Sequence, residues 1–196
     1  QPALQRARAG HDFNFKLNEE VVHGIPSARK IRSGDVVKLD VTAELGGYMA
    51  DTACTVIAGA PDPVAARLAA CAEVAFMAAA QVARAGALAR DIGRAVQTVV
   101  EGHGFSCVEG LSGHGIGRTI HEPPTIPNVD DPNANERLEE GMVVTIEPII
   151  AAGSGRAYLA SDGWTVRTHD GRIAAHYEHT VVIGKGVPRI LTALAA

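Results

Sequence analysis

Five acidic and imidazole side chains lie in or beside segments that the sequence predicts to be strands: Asp40, Asp51, His114, Glu147 and Glu178. Asp40 stands between two apolar residues, and Glu147 follows the apolar run at residues 143–146. A carboxylate inside an apolar strand is costly to bury unless it is paired or bound to a cation. Four carboxylates and one imidazole suit hard or borderline divalent ions. Since none of the three cysteines belongs to a ligand cluster, the set favours a catalytic metal site over a structural zinc.

The predicted hairpin at residues 35–57 decides how two of these acids meet. With Leu45-Gly46 as the two-residue turn, Asp40 faces Asp51, with about 4.5–5.5 Å between Cβ atoms. With Gly46-Gly47 as the turn, the two acids are diagonal neighbours on the same face. The carboxylates repel each other in either register, and a bound dication relieves that repulsion. Two ions about 3.5–4 Å apart would need carboxylates that bridge both of them.

Two further histidines stand apart from this set, in segments rich in glycine and proline. His23 precedes Gly24-Ile25-Pro26, and His121 follows His114 in a glycine-rich stretch. An imidazole can hold a scissile carbonyl or relay a proton near pH 7, so we expect both to face a substrate. Four other histidines are expected at the surface or in loops: His11, His103, His169 and His176.

The elements that must position these residues run in the order strands, helices, strands. Strands are predicted at residues 18–22, 35–42, 48–57, 142–150, 162–169 and 172–183. Asp62 and Pro63 predict the N-cap and first turn of an alanine-rich helix that runs to about residue 84. Asp91 is the expected N-cap of a second helix. This order predicts an α+β domain with a mainly antiparallel sheet.

Composition narrows the class of protein. The 196 residues are 46% hydrophobic and 20% charged, as in soluble globular domains. The net charge of −4, without a basic stripe, argues against a direct nucleic-acid site. Three scattered cysteines indicate reduced thiols. Because no signal pattern is apparent and no apolar run is expected to reach the length of a membrane span, the sequence predicts a cytoplasmic protein without membrane contact.

The residues above and their neighbours resemble methionine aminopeptidases of the shorter, bacterial-like type, within the metallopeptidases that share the pita-bread fold. The resemblance covers roughly residues 17–184. The segments that carry it are residues 18–26, Asp40 with Asp51, residues 113–117 with 121–123, residues 145–148, residues 162–166 and residues 178–180. The resemblance implies an antiparallel sheet backed by helices and an enzyme that removes the N-terminal methionine from nascent proteins.

The same resemblance implies roles for the ligand set, with water as the nucleophile. Two divalent metal ions would be bound, the family's ions being cobalt, manganese, iron or zinc. Asp51 and Glu178 would bridge both ions. Asp40 would complete the shell of one ion, and His114 with Glu147 that of the other.

The resemblance also implies roles for residues around the substrate and properties of the whole protein. His23 and His121 would steady the substrate and the tetrahedral intermediate, and are the catalytic candidates together with Glu147. Trp164 would form a wall of the methionine pocket. The protein would be a monomer, and the ribosome would be a place of encounter because its substrate emerges there.

The chain also departs from the family pattern. Residues 1–16 do not match the family's opening region, so we expect an atypical N-terminal segment there and a single metallopeptidase domain at residues 17–196. Asn14 and Phe15 lie where a cysteine and aromatics usually line the methionine pocket, and Ile120 stands where an aromatic is usual. Two alternatives stay open: an Xaa-Pro aminopeptidase-like enzyme of the same fold, and a non-catalytic binding module.

Overall fold

The computed structural model describes residues 11–25 and 27–193, which form fourteen strands and two helices. The helices are α1 (Pro63–Val82) and α2 (Ala89–Gly102). The strands, in chain order, are β1 (His11–Leu17), β2 (Glu20–Val22), β3 (Val36–Leu45), β4 (Tyr48–Ile57), β5 (Ser106–Cys107), β6 (Ser112–Gly115), β7 (Glu122–Pro127), β8 (Val143–Ile146), β9 (Ile149–Ala151), β10 (Ala157–Leu159), β11 (Val166–Thr168), β12 (Ala174–His176), β13 (Glu178–Val182) and β14 (Arg189–Ile190).

An eight-stranded sheet forms the centre of the fold, in the order β1-β3-β4-β13-β8-β6-β7, with β14 beside β13. Two three-stranded sheets, β10-β11-β2 and β12-β9-β5, flank it. Every pairing between the described strands is antiparallel. Strands from both halves of the chain meet where β4 pairs with β13, which brings together acids that are distant in sequence. The predicted α+β class with an antiparallel sheet is confirmed.

The β3–β4 hairpin turns at Gly46-Gly47, the second of the two registers considered. Asp40 pairs with Ala53, and Thr42 pairs with Asp51. Both glycines have positive φ, 62° and 80°. A tight turn with positive φ at both central positions matches the twist of antiparallel strands and favours glycine at each. Asp40 and Asp51 are therefore diagonal neighbours on one face.

The two helices pack against each other and cover one face of the sheet. Asp62 caps α1, as expected, because its carboxylate accepts hydrogen bonds from the backbone N–H groups of Val64 and Ala65. The expected N-cap at Asp91 is wrong, because α2 begins two residues earlier. Asp91 instead lies in the first turn and accepts a hydrogen bond from the N–H of Leu88.

The inner face of α1 is built from small residues together with Leu68 and Phe76, which are fully buried. Alanine at most other inner positions lets the helix lie close to the sheet. By length and composition alone α1 could cross a membrane, so the expectation that no apolar run reaches that length is wrong. Its apolar residues instead pack against α2, Val144 and Ile146 in the core of a globular domain.

Four predicted strands are shorter than the hydrophobic pattern indicated. The segment 172–183 divides into β12 and β13 on either side of Tyr177. The segment 18–22 keeps only β2, because Asn18 adopts a positive φ of 52°. The segment 142–150 divides into β8 and β9 on either side of residues 147–148. In the segment 162–169 only β11 is extended, because Asp162 accepts hydrogen bonds from the N–H groups of Trp164 and Thr165 and holds a turn.

The expected division of the chain at residue 16 stays a prediction. Strand β1 runs across that point and pairs with β3 along its whole length. Lys16, the last residue assigned to the atypical segment, is fully buried in this pairing.

Candidate metal centre

A cavity of about 590 Å³ opens on one face of the central sheet. Its lining includes all five predicted ligands: Asp40, Asp51, His114, Glu147 and Glu178. They come from β3, β4, β6, the residue after β8 and β13, so no single segment of the chain builds the site. Five side chains capable of binding metal thus converge on one cavity from five places in the sequence.

The sheet register explains how the acids converge. Ala53 of β4 pairs with Asp40 on one side and with Glu178 on the other. Paired residues point to the same face of a sheet, and neighbouring strands are about 4.8 Å apart. Asp51 lies two residues from Ala53 and therefore shares that face. The small side chain of Ala53 leaves room for three carboxylates around it.

His114 is held with one ring nitrogen free for a ligand. Its Nδ1 lies 2.9 Å from the carbonyl oxygen of Gly115 and must donate to it, because a carbonyl only accepts. Burial lowers the pKa of His114, so the ring is neutral at pH 7 and Nε2 carries a lone pair. That nitrogen lies 3.5 Å from Oε1 of Glu147. Two acceptors that face each other in this way leave room for a cation between them.

Thr145 supports both of these side chains from β8. Its hydroxyl accepts a hydrogen bond from the N–H of His114 at 3.0 Å and donates one to Oε1 of Glu147 at 2.9 Å. The approach of β6 to β8 requires glycine, since a Cβ at Gly113 would lie 2.5 Å from the carbonyl oxygen of Thr145. The glycines around His114 therefore serve to place the imidazole against the neighbouring strand.

Burial and mutual repulsion dominate the electrostatics of the acids. Burial, together with the charge of Asp40, raises the pKa of Asp51 to about 7. Burial and the neighbouring carboxylates raise the pKa values of Glu147 and Glu178 well above the ordinary value for glutamate. Carboxyl groups in this state are stabilised in the ionised form by a bound cation.

Lys16 is a charged residue at the centre that the sequence reasoning missed. It is fully buried in β1, and its ammonium donates a hydrogen bond to Oδ2 of Asp40. Burial raises the pKa of Asp40, but the charge and hydrogen bond of Lys16, together with His176 and a hydrogen bond with Asp51, lower it, so the pKa lies below its usual value. The signal was present in the sequence, because Lys16 stands between Phe15 and Leu17, as Asp40 stands between two apolar residues.

His176 is also at the centre, and its expected place at the surface or in a loop is wrong. It ends β12, is 2% exposed and lines the cavity. Its Nε2 lies 3.3 Å from Oε2 of Glu178 and 3.7 Å from Oε2 of Glu147. Burial lowers the pKa of His176 to about 3, so the ring is neutral at pH 7. The apolar residues 173–175 before it were the available signal for burial.

The other histidines fall outside the centre where they are described. His103 and His169 are exposed, as expected. His11 belongs to β1, but its side chain lies outside the described part of the structure.

The donor set fits divalent cations. Two groups of three side chains have ligand atoms that all lie within 4.8 Å of one another: Asp51, His114 and Glu178, and Glu147, His176 and Glu178. Glu178 belongs to both groups. Among the residues that the structure describes, no hydrogen-bond partner reaches Oε1 of Glu178 or either ring nitrogen of His176. Buried acceptors without donors, grouped around one cavity, are what a cation site presents.

The predicted substrate-facing residues lie at the mouth of this cavity. His121 stacks edge-on against His114, with 4.3 Å between ring centroids, and both His23 and His121 line the cavity. His23 has a positive φ of 57°, a conformation that is rare outside glycine and is found at functional sites. The Trp164 ring lies 5.5 Å from that of His23, and Trp164 does not belong to the cavity lining among the described residues.

Comparison with known proteins identifies the family. Metallopeptidase family M24 matches residues 8–185. The methionine aminopeptidase of Aquifex aeolicus is 44% identical over 197 residues, which cover 99% of this chain and 76% of that protein. Methionine aminopeptidase 2 of Bacillus subtilis is 43% identical, over 92% of this chain and 73% of that protein.

Solved structures agree with this similarity. The crystal structure of methionine aminopeptidase from Thermotoga maritima has a TM-score of 0.89 and 37% identity, and the match covers 93% of this chain and 74% of that chain. The prolidase of Pyrococcus horikoshii, with a TM-score of 0.76 and 22% identity over 48% of its own length, shares the fold alone. The expected pita-bread fold is therefore confirmed, and the chain belongs to metallopeptidase family M24 and, within it, to the methionine aminopeptidases.

Proposed function

We propose that this protein is a metal-dependent aminopeptidase that removes the N-terminal methionine from nascent polypeptides. The observation that carries the proposal is the convergence of Asp40, Asp51, His114, Glu147 and Glu178 on one cavity whose mouth holds two further histidines. Similarity to methionine aminopeptidases over nearly the whole chain supports the choice of substrate.

The proposed centre holds two divalent ions, of cobalt, manganese, iron or zinc. Asp51 and Glu178 would serve both ions, Asp40 would hold one of them, and His114 with Glu147 would hold the other. The membership of Glu178 in both groups of converging ligand atoms supports its bridging role. When bound, such ions polarise the scissile carbonyl and make water a nucleophile at neutral pH.

The protein's own side chains orient the reaction. Glu147 is held by the Thr145 hydroxyl and is placed to take a proton from the nucleophile. His121 and His23 approach from the cavity mouth, where an imidazole N–H can donate to the carbonyl oxygen of the substrate and stabilise charge on it in the transition state. Trp164 limits the movement of His23 by packing beside its ring and is proposed as an outer wall of the methionine pocket.

The deciding experiment measures release of methionine from Met-Ala-Ser, with an Ala-Pro peptide alongside, after chelation and after addition of cobalt or manganese. Metal-dependent cleavage of Met-Ala-Ser alone supports the proposal. Cleavage of Ala-Pro alone would assign the chain to the Xaa-Pro alternative. Failure to cleave either peptide, together with failure to bind two ions in a metal titration, would favour a non-catalytic module.

The proposed setting is the cytoplasm, where the protein acts as a monomer on chains that emerge from the ribosome. Sedimentation of the purified protein tests the monomer, and co-sedimentation with ribosomes tests the encounter. Packing of α1 into the globular core supports a soluble protein.

A further inference from the structure

We propose that His176 is an additional metal ligand, which gives the ion beside Glu147 and Glu178 a second imidazole nitrogen and so favours cobalt, iron or zinc over manganese. This inference rests on the metal centre of the proposed function and is independent of the peptide substrate. It concerns a residue outside the ligand set that the family motifs supplied.

The isolation of the His176 ring is the first observation. The side chain is 2% exposed, and within the described ranges neither ring nitrogen has a hydrogen-bond partner. A neutral imidazole carries one N–H and one lone pair, and burying both without partners is unfavourable. Nε2 is the nitrogen that faces the two glutamates. A cation among these three side chains would satisfy that nitrogen and both carboxylates together.

The distances favour coordination over a direct hydrogen bond. Nε2 lies 3.3 Å and 3.7 Å from the nearest oxygens of Glu178 and Glu147. Hydrogen bonds between nitrogen and oxygen span about 2.7–3.2 Å. Two ligands bound at about 2.1 Å to one ion are about 3.0 Å apart at an angle of about 90° and about 3.4 Å apart at the tetrahedral angle. The separation between Nε2 of His114 and Oε1 of Glu147, 3.5 Å, falls in the same range.

The backbone on either side of the ring is fixed. The N–H of His176 donates to the hydroxyl of Thr55 at 2.9 Å, and that hydroxyl donates to the carbonyl oxygen of His176, also at 2.9 Å. His176 also pairs with Ile149 in the β12–β9 ladder. A side chain anchored from two strands presents its nitrogen at a defined point, as metal ligands require.

The choice of metal follows from the donor atoms. With His176 added to His114, this site offers two imidazoles and the three carboxylates of Asp51, Glu147 and Glu178, whereas the motif set alone offers one imidazole. Imidazole suits zinc, cobalt and iron, while manganese prefers oxygen ligands. His176 should therefore raise affinity for cobalt and zinc more than affinity for manganese.

The test counts imidazoles directly. Chelated protein is loaded with one equivalent of zinc, and X-ray absorption at the zinc edge gives the number of imidazoles per ion. Wild type should show two, His176→Gln one, and the control His169→Gln, which changes an exposed histidine, two. Calorimetric titration should show at least about a tenfold loss of cobalt affinity in His176→Gln and a smaller loss for manganese.

One imidazole per zinc in the wild type would overturn the inference. Because this measurement is made on the wild type, it does not depend on the folding of any variant. An unchanged ratio of cobalt to manganese affinity in folded His176→Gln would overturn it as well. The two proposals can fail separately. If zinc shows two imidazoles per ion but Met-Ala-Ser is not cleaved, the proposed function fails and the inference about His176 stands. If no ion binds at all, both fall.

Discussion

The ammonium of Lys16 lies against Oδ2 of Asp40, so a fully buried lysine of β1 occupies one of the two oxygens of a proposed metal ligand. The ammonium therefore competes with an ion for this oxygen. A second buried lysine, Lys38, pairs with Lys16 across β1 and β3, but its ammonium donates to the carbonyl oxygen of Asn18 at 2.7 Å. Two lysines in neighbouring positions therefore have different electrostatic roles.

Replacing Lys16 with methionine should tighten the binding of divalent ions. The change removes a cation that competes for Asp40 and that repels any ion nearby in a medium of low dielectric constant. In a calorimetric titration, we expect the dissociation constant of the more weakly bound ion to fall by about tenfold or more, which corresponds to about 1.4 kcal/mol.

Lys38→Met is the matched control, because it removes an equally buried amino group that donates to a backbone carbonyl oxygen. Burial lowers the pKa of Lys38 to about 7, so this amino group carries less charge than an exposed lysine at pH 7. Its ion affinity should stay within a few-fold of wild type. Equal effects in the two variants would mean that Lys16 acts through general charge or packing and not through Asp40.

Asp51 should make the stability of the metal-free protein depend on pH. Its pKa is raised to about 7 by burial and by the charge of Asp40, whereas the unfolded carboxyl titrates near 4. The folded state binds this proton more tightly, so the contribution to stability is full below about pH 4 and is lost as the pH rises through about 7. Asp51→Asn, which keeps the shape of the protonated acid, should gain stability relative to wild type across that window.

Urea unfolding with a chelator present, at pH 5 and pH 8, measures this difference. The free energy of unfolding of Asp51→Asn should exceed that of the wild type by more at pH 8 than at pH 5. A constant difference between the two pH values would show that Asp51 is not the group that titrates.

Glu178→Gln should abolish turnover. The substitution keeps the size of the side chain but replaces one oxygen of a residue that belongs to both groups of converging ligands. Loss of a residue that merely orients a metal ligand reduces metal affinity or activity by about 10–100-fold, so loss of a proposed bridging ligand should reduce activity by more than about 100-fold. Release of methionine and bound metal are measured together, with Glu139→Gln, an exposed site, as the control. Substantial activity in folded Glu178→Gln would contradict the two-ion centre.

The hairpin and the acids of the centre were predictable because their signals are local. An acid between apolar residues, as at Asp40, marks burial wherever the strand is placed. The turn left two registers open, and the positive φ of both Gly46 and Gly47 decides between them. That choice depends on the backbone twist of the folded hairpin. The sequence shows only that two glycines are adjacent, which does not select between the two registers.

Lys16 and His176 could not be placed in the same way. Lys16 reaches Asp40 only because β1 pairs with β3, and His176 reaches Glu147 only because β12 pairs with β9 and brings it beneath the sheet. Both contacts depend on pairing between distant segments. Residue type alone favours exposure for lysine and leaves histidine undecided. Their apolar neighbours indicate burial, but only the tertiary structure shows which side chains they meet.

Thr145 offers a test of how far the centre depends on support from β8. Its hydroxyl links the backbone of His114 to the carboxylate of Glu147, so Thr145→Val keeps the shape and removes both hydrogen bonds. The N–H of His114 and Oε1 of Glu147 would then lack these partners, and both proposed ligands would be less well oriented. Metal affinity or activity should fall by about 10–100-fold, the range seen for groups that orient metal ligands.

Thr145→Ser keeps the hydroxyl and should stay within a few-fold of wild type. If Val and Ser variants of equal thermal stability bound metal alike, the hydroxyl would be irrelevant, and the placement of His114 would rest on the close approach of Gly113 to β8 alone.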